Sequence, residues 1–271
     1  MAKKKIVKEK SEFWNISYKI IRFIFMIPIY LLRGFYFLGK KWSKKSEENK
    51  IVKKRQAIDS NYEEIKKVKS YTGEFGLFEK HILQTESTIG IILGARGSGK
   101  SALALRFFEN IYSKKKSKLY AMGFKKEEIP SWIEVIESVE HIKNNSYVLI
   151  DEGGILFSSR KSMSKPNKLL SDLILIARHK NLSILFISQN SSNLEVNILR
   201  QADYLFLKPS SLLQKNFERK IIKEIYIETK KDFEKYKKDK GLFYVHSDKF
   251  RGFVSNTLPS FWNQEISKAW K

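Results

Sequence analysis

The chain has 271 residues, enough for one α/β domain with appendages, and 42% of them are hydrophobic, which allows a sizeable core. Its formal net charge is +23, a balance that favours nucleic acid or an anionic membrane surface as a partner. The absence of cysteine excludes disulfides and thiolate metal sites. The four histidines are far apart in sequence and show no metal-ligand spacing.

An apolar and basic N-terminal arm is predicted over residues 1–45. Residues 1–70 carry 19 Lys and Arg against 7 Asp and Glu. The stretch from Ile20 to Gly39 is long enough to cross a membrane as a helix, although Arg22 and Arg33 interrupt it and Pro28 would kink it. Wound as a helix, the arm gathers its polar residues on one stripe: Asn15, Lys19, Arg22, Arg33, Lys40 and Lys44.

Three arrangements of this arm fit the stripe. The helix lies in an anionic membrane interface through residues 15–45, spans the membrane with its polar stripe against a neighbour, or packs on the domain that follows. No small-residue cleavage site follows the apolar run, so a signal peptide is not predicted. Residues 46–80 are predicted to be a charged helical linker.

A phosphate-binding loop is predicted between an apolar, strand-like run at 88–93 and a helix-like run at 102–108. The pattern is Gly, four residues, then Gly-Lys-Ser. Glycines let backbone N–H groups turn towards phosphate oxygens, and the helix that follows points its positive end at them. The residues expected to bind the nucleotide are Gly94, Ala95, Arg96, Gly97, Ser98, Gly99, Lys100, Ser101 and Ala102.

The loop predicts ATP and Mg²⁺ as ligands. Lys100 would reach the β- and γ-phosphates, and the Ser101 hydroxyl would ligate magnesium. A second apolar run, Tyr147 to Ile150, ends in Asp151 and Glu152 about fifty residues after the loop. A buried strand of this kind would hold Asp151 beside the metal and let Glu152 polarise the attacking water.

A polar residue is also predicted at the end of a strand further along the chain. An amphipathic helix from Leu169 to Lys180 leads to a buried strand, Leu182 to Ser188, which Gln189 follows. The Gln189 side chain would face the γ-phosphate and report its presence; the alternative is an amide bonded to nearby backbone. The alternation of strands and helices predicts an α/β fold of the P-loop NTPase (RecA-like) type, with a mainly parallel sheet and helices on both faces.

Residues 81–210 are predicted to form this core, and residues 211–271 a C-terminal helix, hairpin and closing helix. The hairpin is expected at the edge of the sheet, with strands at 241–246 and 252–255. Residues 126–145 are predicted to be a polar helix.

The segment from Ala177 to Gln189, with Ile198-Leu199-Arg200 and the strand Tyr204 to Leu207 after it, resembles the FtsK/HerA superfamily of P-loop ATPases. Within that superfamily it is most similar to poxvirus-type and archaeal-virus genome-packaging ATPases. It is also similar to the phage assembly ATPases related to zonula occludens toxin. The resemblance covers residues 85–210, and its motifs are more specific for the superfamily than for any branch.

The resemblance implies a ring, of hexameric type, that moves double-stranded DNA through a central pore. It also implies that Gln189 acts as a sensor and that an arginine reaches a neighbour's nucleotide. Arg178 and Arg200 match the recurring arginine positions, with Arg160 a weaker third candidate; the alternative for each is a surface ion pair. The N-terminal position of the arm departs from the packaging branch and is similar to conjugative coupling ATPases.

The sequence thus predicts an ATPase that translocates double-stranded DNA, for genome packaging or transfer across an envelope. Two alternatives stay open: a membrane-associated motor that moves protein or extrudes virions without threading DNA, and a nucleotide switch. The expected locations are the cytoplasmic face of a membrane, the cytoplasm of a virus-infected cell, or the virion.

Overall fold

The computed structural model describes residues 40, 43, 46, 47, 49–151, 166–263 and 266. It divides the chain into two compact units, Met1–Lys54 and Arg55–Lys271. The described residues of the first unit are helical. The predicted arm lies outside the described residues except for Lys40 and Ser43, and no helix in the described part of the chain is long and apolar enough to span a bilayer.

Nine strands of the described chain form one sheet in the second unit. Six of them are parallel, in the order β7-β2-β6-β5-β3-β4, and β8, β9 and β1 extend the sheet antiparallel beyond β7. The prediction of a mainly parallel α/β sheet is therefore confirmed. The strands are β1 (Lys66–Gly73), β2 (Ile89–Leu93), β3 (Lys118–Met122), β4 (Ile133–Val135), β5 (Ser146–Asp151), β6 (Ser183–Ile187), β7 (Tyr204–Leu207), β8 (Leu242–Ser247) and β9 (Phe250–Ser255).

Helices cover both faces of this sheet. Successive residues of β2 point to opposite faces, so Ile92 joins one hydrophobic core while Ile91 and Leu93 join the other. Both faces of β2 are buried, as its apolar sequence requires. The helices are α1 (Phe75–Gln84) and α2 (Lys100–Lys115), which contribute to the first core; α3 (Pro166–His179), α4 (Val196–Arg200) and α6 (Lys220–Lys235), which contribute to the second; and the short α5 (Leu212–Phe217).

Helix α2, which begins at the predicted phosphate loop, contains a buried ion pair whose arginine also binds other segments of the chain. Arg106 Nη1 lies 3.0 Å from Glu109 Oε2, and both side chains are almost fully buried. Arg106 also donates to the carbonyls of Leu258 (3.0 Å) and Asn61 (2.9 Å). Two chain segments that flank the sheet are thereby tied to the helix that carries the loop.

The structure corrects the predicted secondary structure in three places. The helical linker predicted over 46–80 contains the strand β1, and the polar helix predicted over 126–145 is replaced by a 3₁₀ turn at Lys126–Glu128 and the strand β4. The hairpin of β8 and β9 is confirmed, but it is not at the edge, because β1 pairs with β9 outside it. Lysine-rich β1 is largely exposed, and such edge strands lack the apolar alternation by which strands are recognised.

Candidate nucleotide site

The segment between β2 and α2 has the backbone geometry of a phosphate loop. Gly97 and Gly99 have φ values of 75° and 90°, which favour glycine. Gly94 has a φ of 155°, and a Cβ there would also lie 2.6 Å from Lys208 Cβ. No side chain caps the start of α2, so the N–H groups of its first turn remain available to an anion.

Lys100 is the first residue of α2 and is 8% exposed. Its ammonium donates to the carbonyls of Gly94 (2.8 Å) and Ala95 (2.9 Å), which holds it against the loop. Burial lowers the pKa of Lys100 to about 8, and the charge of Asp151 opposes that shift. Placed there, the ammonium can exchange its carbonyl partners for phosphate oxygens.

Ser101 and Asp151 meet at the mouth of the loop. Asp151 is the last residue of β5, and the Ser101 hydroxyl donates to its Oδ2 at 3.3 Å. Mg²⁺ in nucleotide sites takes one or two carboxylates, a hydroxyl and substrate phosphates rather than a cage of protein ligands. The Ser101–Asp151 pair suits a magnesium ion that the nucleotide helps to bind. The described residues contain no group of three or more His, Asp and Glu side chains fit for a metal.

Gln189 lies beside the loop because of the strand order. Strand β6 lies between β2 and β5, so the residues that follow it emerge between the phosphate loop and Asp151. Gln189 is exposed and lines an open cavity of about 650 Å³ together with loop residues. The lining residues are Ala95, Arg96, Gln189, Asn190, Ser192, Asn193, Ser211, Gln214 and Phe217.

The segment after Gln189 is held by hydrogen bonds to residues that were not identified from the sequence. Glu218, which is buried, accepts hydrogen bonds from the N–H and hydroxyl of Ser191. Arg219 donates to the carbonyls of Ser191 (3.1 Å) and Leu194 (2.9 Å), and Gln214 donates to the Gln189 carbonyl. These contacts join the corner between α5 and α6 to the candidate sensor, and no local pattern in the sequence predicts them.

Lys208 was also missed. It follows β7, is 2% exposed and lies behind the phosphate loop. The only sequence signal was a lysine placed directly after an apolar strand and before Pro209.

The two candidate arginines lie away from the loop of their own chain. Arg178 precedes β6 and Arg200 precedes β7, so both are near the amino ends of the parallel strands, whereas the phosphate loop is at the carboxyl ends. Both side chains are exposed. Glu152 and Arg160 lie outside the described residues, although Glu152 directly follows Asp151 in the chain.

Comparison with known proteins finds similar solved structures only. No family model and no curated protein matches the chain. The DNA-packaging ATPase B204 of Sulfolobus turreted icosahedral virus is 15% identical, with 64% of this chain and 98% of that one covered and a TM-score of 0.45. The genome-packaging NTPase B204 of Sulfolobus turreted icosahedral virus 2, in complex with ATP-γ-S, is 15% identical, with 63% and 98% covered and a TM-score of 0.42.

The N-terminal domain of zonular occludens toxin from Neisseria meningitidis is also similar, at 15% identity, with 67% of this chain and 97% of that one covered and a TM-score of 0.35. These structures are of the kinds that the sequence resemblance named. At such identities the likeness is one of fold, and it assigns no role to individual residues.

Proposed function

We propose that the chain is an ATP-hydrolysing motor that translocates double-stranded DNA. The observation that carries the proposal is the convergence of Lys100, Ser101 and Asp151 at the mouth of the glycine loop, with Ser101 Oγ 3.3 Å from Asp151 Oδ2. In P-loop enzymes these groups bind a nucleoside triphosphate and neutralise the charge of its phosphates. The resemblance of the segment from Ala177 to Leu207 to DNA-moving ATPases supports the choice of substrate.

In the proposed reaction, each residue of the site has a separate role. The loop N–H groups and Lys100 bind the phosphate chain. Ser101 and Asp151 would hold a magnesium ion, which would supply charge neutralisation for the phosphates when bound. Glu152 accepts a proton from the attacking water, and Gln189 orients that water or the γ-phosphate. The position of Gln189 between the loop and Asp151 supports this assignment.

The role of Glu152 is tested by Glu152→Gln, which keeps the shape of the side chain but removes the base. We expect hydrolysis to fall by about 10²–10⁴-fold, the usual contribution of general base catalysis, while nucleotide binding is retained. The exposed Glu137→Gln serves as a control with the same change of charge. Undiminished turnover in Glu152→Gln would refute the assignment.

Double-stranded DNA is proposed as the moving substrate because of the charge of +23 and the resemblance. The test is an ATPase assay with and without duplex DNA over a range of salt concentrations. We expect stimulation that falls steeply as salt rises, since phosphate contacts release counterions. Indifference to DNA would favour the second candidate, a motor that moves protein subunits, for which the apolar arm is the specific observation.

The arm is proposed to contact an anionic membrane surface through residues 15–45, which would place the protein at the cytoplasmic face of a membrane. Its basic stripe and apolar faces support that contact. Deletion of residues 1–45 is expected to abolish co-sedimentation with anionic lipid vesicles. A deleted protein that still sediments with them would refute the role of the arm. Failure of the full-length chain to sediment would favour the cytoplasm of an infected cell or the virion.

A further inference from the structure

Lys208 is a buried lysine that lies directly behind the phosphate loop. Its main-chain N–H donates to the carbonyl of Leu93 (2.8 Å), at the end of the strand that leads into the loop. A Cβ on Gly94 would lie 2.6 Å from Lys208 Cβ, and a Cβ on Gly99 would lie 4.0 Å from Lys208 Nζ. The side chain therefore runs behind the loop from its first glycine to its last.

Within the described part of the chain, main-chain carbonyls and not carboxylates bind the ammonium of Lys208. Its ammonium donates to two main-chain carbonyls, those of Lys240 (3.1 Å) and Leu242 (2.9 Å). No carboxylate forms an ion pair with it among the residues that the structure describes. Burial lowers the pKa of Lys208 to about 8, against a weaker opposing influence of Asp239. Burying a cation without a counter-ion destabilises the fold unless its charge makes another favourable interaction.

The surroundings of Lys208 add further positive charge. Gly99 is the N-cap of α2, so the ammonium of Lys208 lies close to the positive end of that helix. Lys100 brings a second ammonium to the same loop, where it donates to the carbonyls of Gly94 and Ala95. These positive groups repel one another when the loop is empty, and all of them attract a phosphate chain bound on it.

We propose that Lys208 is a positioning residue of the nucleotide site, whose buried charge attracts the phosphate groups through the loop and so strengthens their binding. The inference rests on the proposed nucleotide-binding function. Because the attraction is electrostatic, its contribution grows with the charge of the phosphate chain. It is therefore largest for ATP, smaller for ADP and smallest for AMP.

The test is the affinity of Lys208→Gln for ATP, ADP and AMP measured by calorimetry without magnesium, so that the negative charge of the phosphate chain increases from AMP to ATP. Glutamine retains an amide that can donate to the carbonyls of Lys240 and Leu242, but it carries no charge. We expect the affinity for ATP to fall roughly tenfold, equivalent to about 1.4 kcal/mol. The affinity for ADP is expected to fall less, and that for AMP least.

Two control variants separate charge from structure. Lys240→Gln makes the same change of charge on an exposed side chain, and Tyr226→Phe removes the hydroxyl that donates to the Lys208 carbonyl (3.2 Å) without a change of charge. Both variants are expected to have the same ratios of affinity for ATP, ADP and AMP as the unmodified protein. Should Lys208→Gln fail to fold, Lys208→Met carries the same expectation, because burial without charge suits methionine.

An equal loss of affinity for all three nucleotides would show that Lys208 only maintains the fold, and unchanged affinities would show that its charge does not reach the phosphates. Either result overturns the inference. Failure of the unmodified protein to bind any nucleotide is a different outcome, since it would refute the proposed function itself.

Discussion

Lys100 shows at the scale of one residue how the loop prepares for an anion. Its ammonium is buried and held by the carbonyls of Gly94 and Ala95, at 2.8 and 2.9 Å. Those two bonds partly satisfy a charge that would otherwise be costly to bury. A phosphate chain offers full negative charge to the same ammonium, so the loop is preorganised for such a ligand.

Lys100→Met is predicted to keep the fold and lose activity, because methionine fills a similar volume without charge. We expect ATP hydrolysis to fall on the order of 10²–10³-fold, the loss typical when one preorganised donor is removed. Lys118→Met is the matched control, since Lys118 is exposed at the amino end of β3, whereas the phosphate loop follows the carboxyl end of the parallel strand β2. Hydrolysis at the rate of the control would contradict the role of Lys100.

The residues of the loop could be predicted from sequence because the motif is local. Eight consecutive residues and the runs around them specify strand, loop and helix together. Lys208 could not be predicted, since its contact with Gly94 joins residues far apart in the chain. Such a contact depends on the pairing of β7 with β2, which no local pattern encodes.

At the scale of secondary structure elements, strand β1 is joined to helix α6 by a charged cluster. Lys69 Nζ lies 2.8 Å from Asp232 Oδ2, and the Tyr71 hydroxyl donates to the same carboxylate. Burial alone would raise the pKa of Asp232, but the hydrogen bonds from Lys69 and Tyr71 and the charge of Lys69 lower it below its usual value. The edge strand is thus anchored by an interaction that requires an ionised carboxylate.

The pH dependence of stability is predicted to reveal this cluster. A carboxyl group with a lowered pKa in the folded state stabilises fully above its unfolded pKa, about 3.9, and loses that contribution as the pH falls through the folded pKa. Asp232→Asn should therefore be less stable than the parent near pH 7, and the difference should shrink as the pH falls below about 4. Urea unfolding at several pH values measures this difference in the free energy of unfolding.

The control for this prediction is Asp248→Asn, which changes an exposed carboxylate in the turn between β8 and β9. It is expected to leave stability nearly unchanged at every pH. A deficit of Asp232→Asn that stays constant from neutral to acidic pH would contradict the importance of the ionised group.

The elements were predictable where their sequences are apolar and regular. The buried strands β2, β5, β6 and β7 can be identified from the sequence alone, because parallel strands buried on both faces are continuously hydrophobic. Strand β1 was missed since its lysines face solvent, and β4 since it has only three residues. Whether such segments form strands depends on the neighbouring strands with which they pair.

At the scale of the whole molecule, the position of Arg178 and Arg200 bears on the proposed ring. Both lie near the amino ends of the strands, remote from the loop of the same chain. An arginine that stabilises the transition state would then have to act on a neighbouring subunit, where one guanidinium is worth roughly 10³–10⁵ in rate in related NTPases. No single chain contains that arrangement, so neither its sequence nor its fold identifies the arginine.

Mixing of inactive variants tests this arrangement. If Arg200 is the arginine that acts in trans, Arg200→Ala and Lys100→Met are each inactive alone. Their mixture should then regain part of the ATPase activity, because a subunit with an intact loop can meet a neighbour with an intact arginine. The same mixture with Arg178→Ala decides between the two candidates. If neither mixture regains activity although mixed oligomers form, action in trans by these arginines is refuted.

The most direct test of the central claim is a crystal structure with magnesium and a non-hydrolysable ATP analogue. We expect the phosphate chain to lie in the loop and Lys100 to move its hydrogen bonds from the carbonyls of Gly94 and Ala95 to phosphate oxygens. We also expect the metal to contact the Ser101 hydroxyl near Asp151. A nucleotide bound elsewhere, or an empty loop with Lys100 still on those carbonyls at saturating ligand, would contradict the claim.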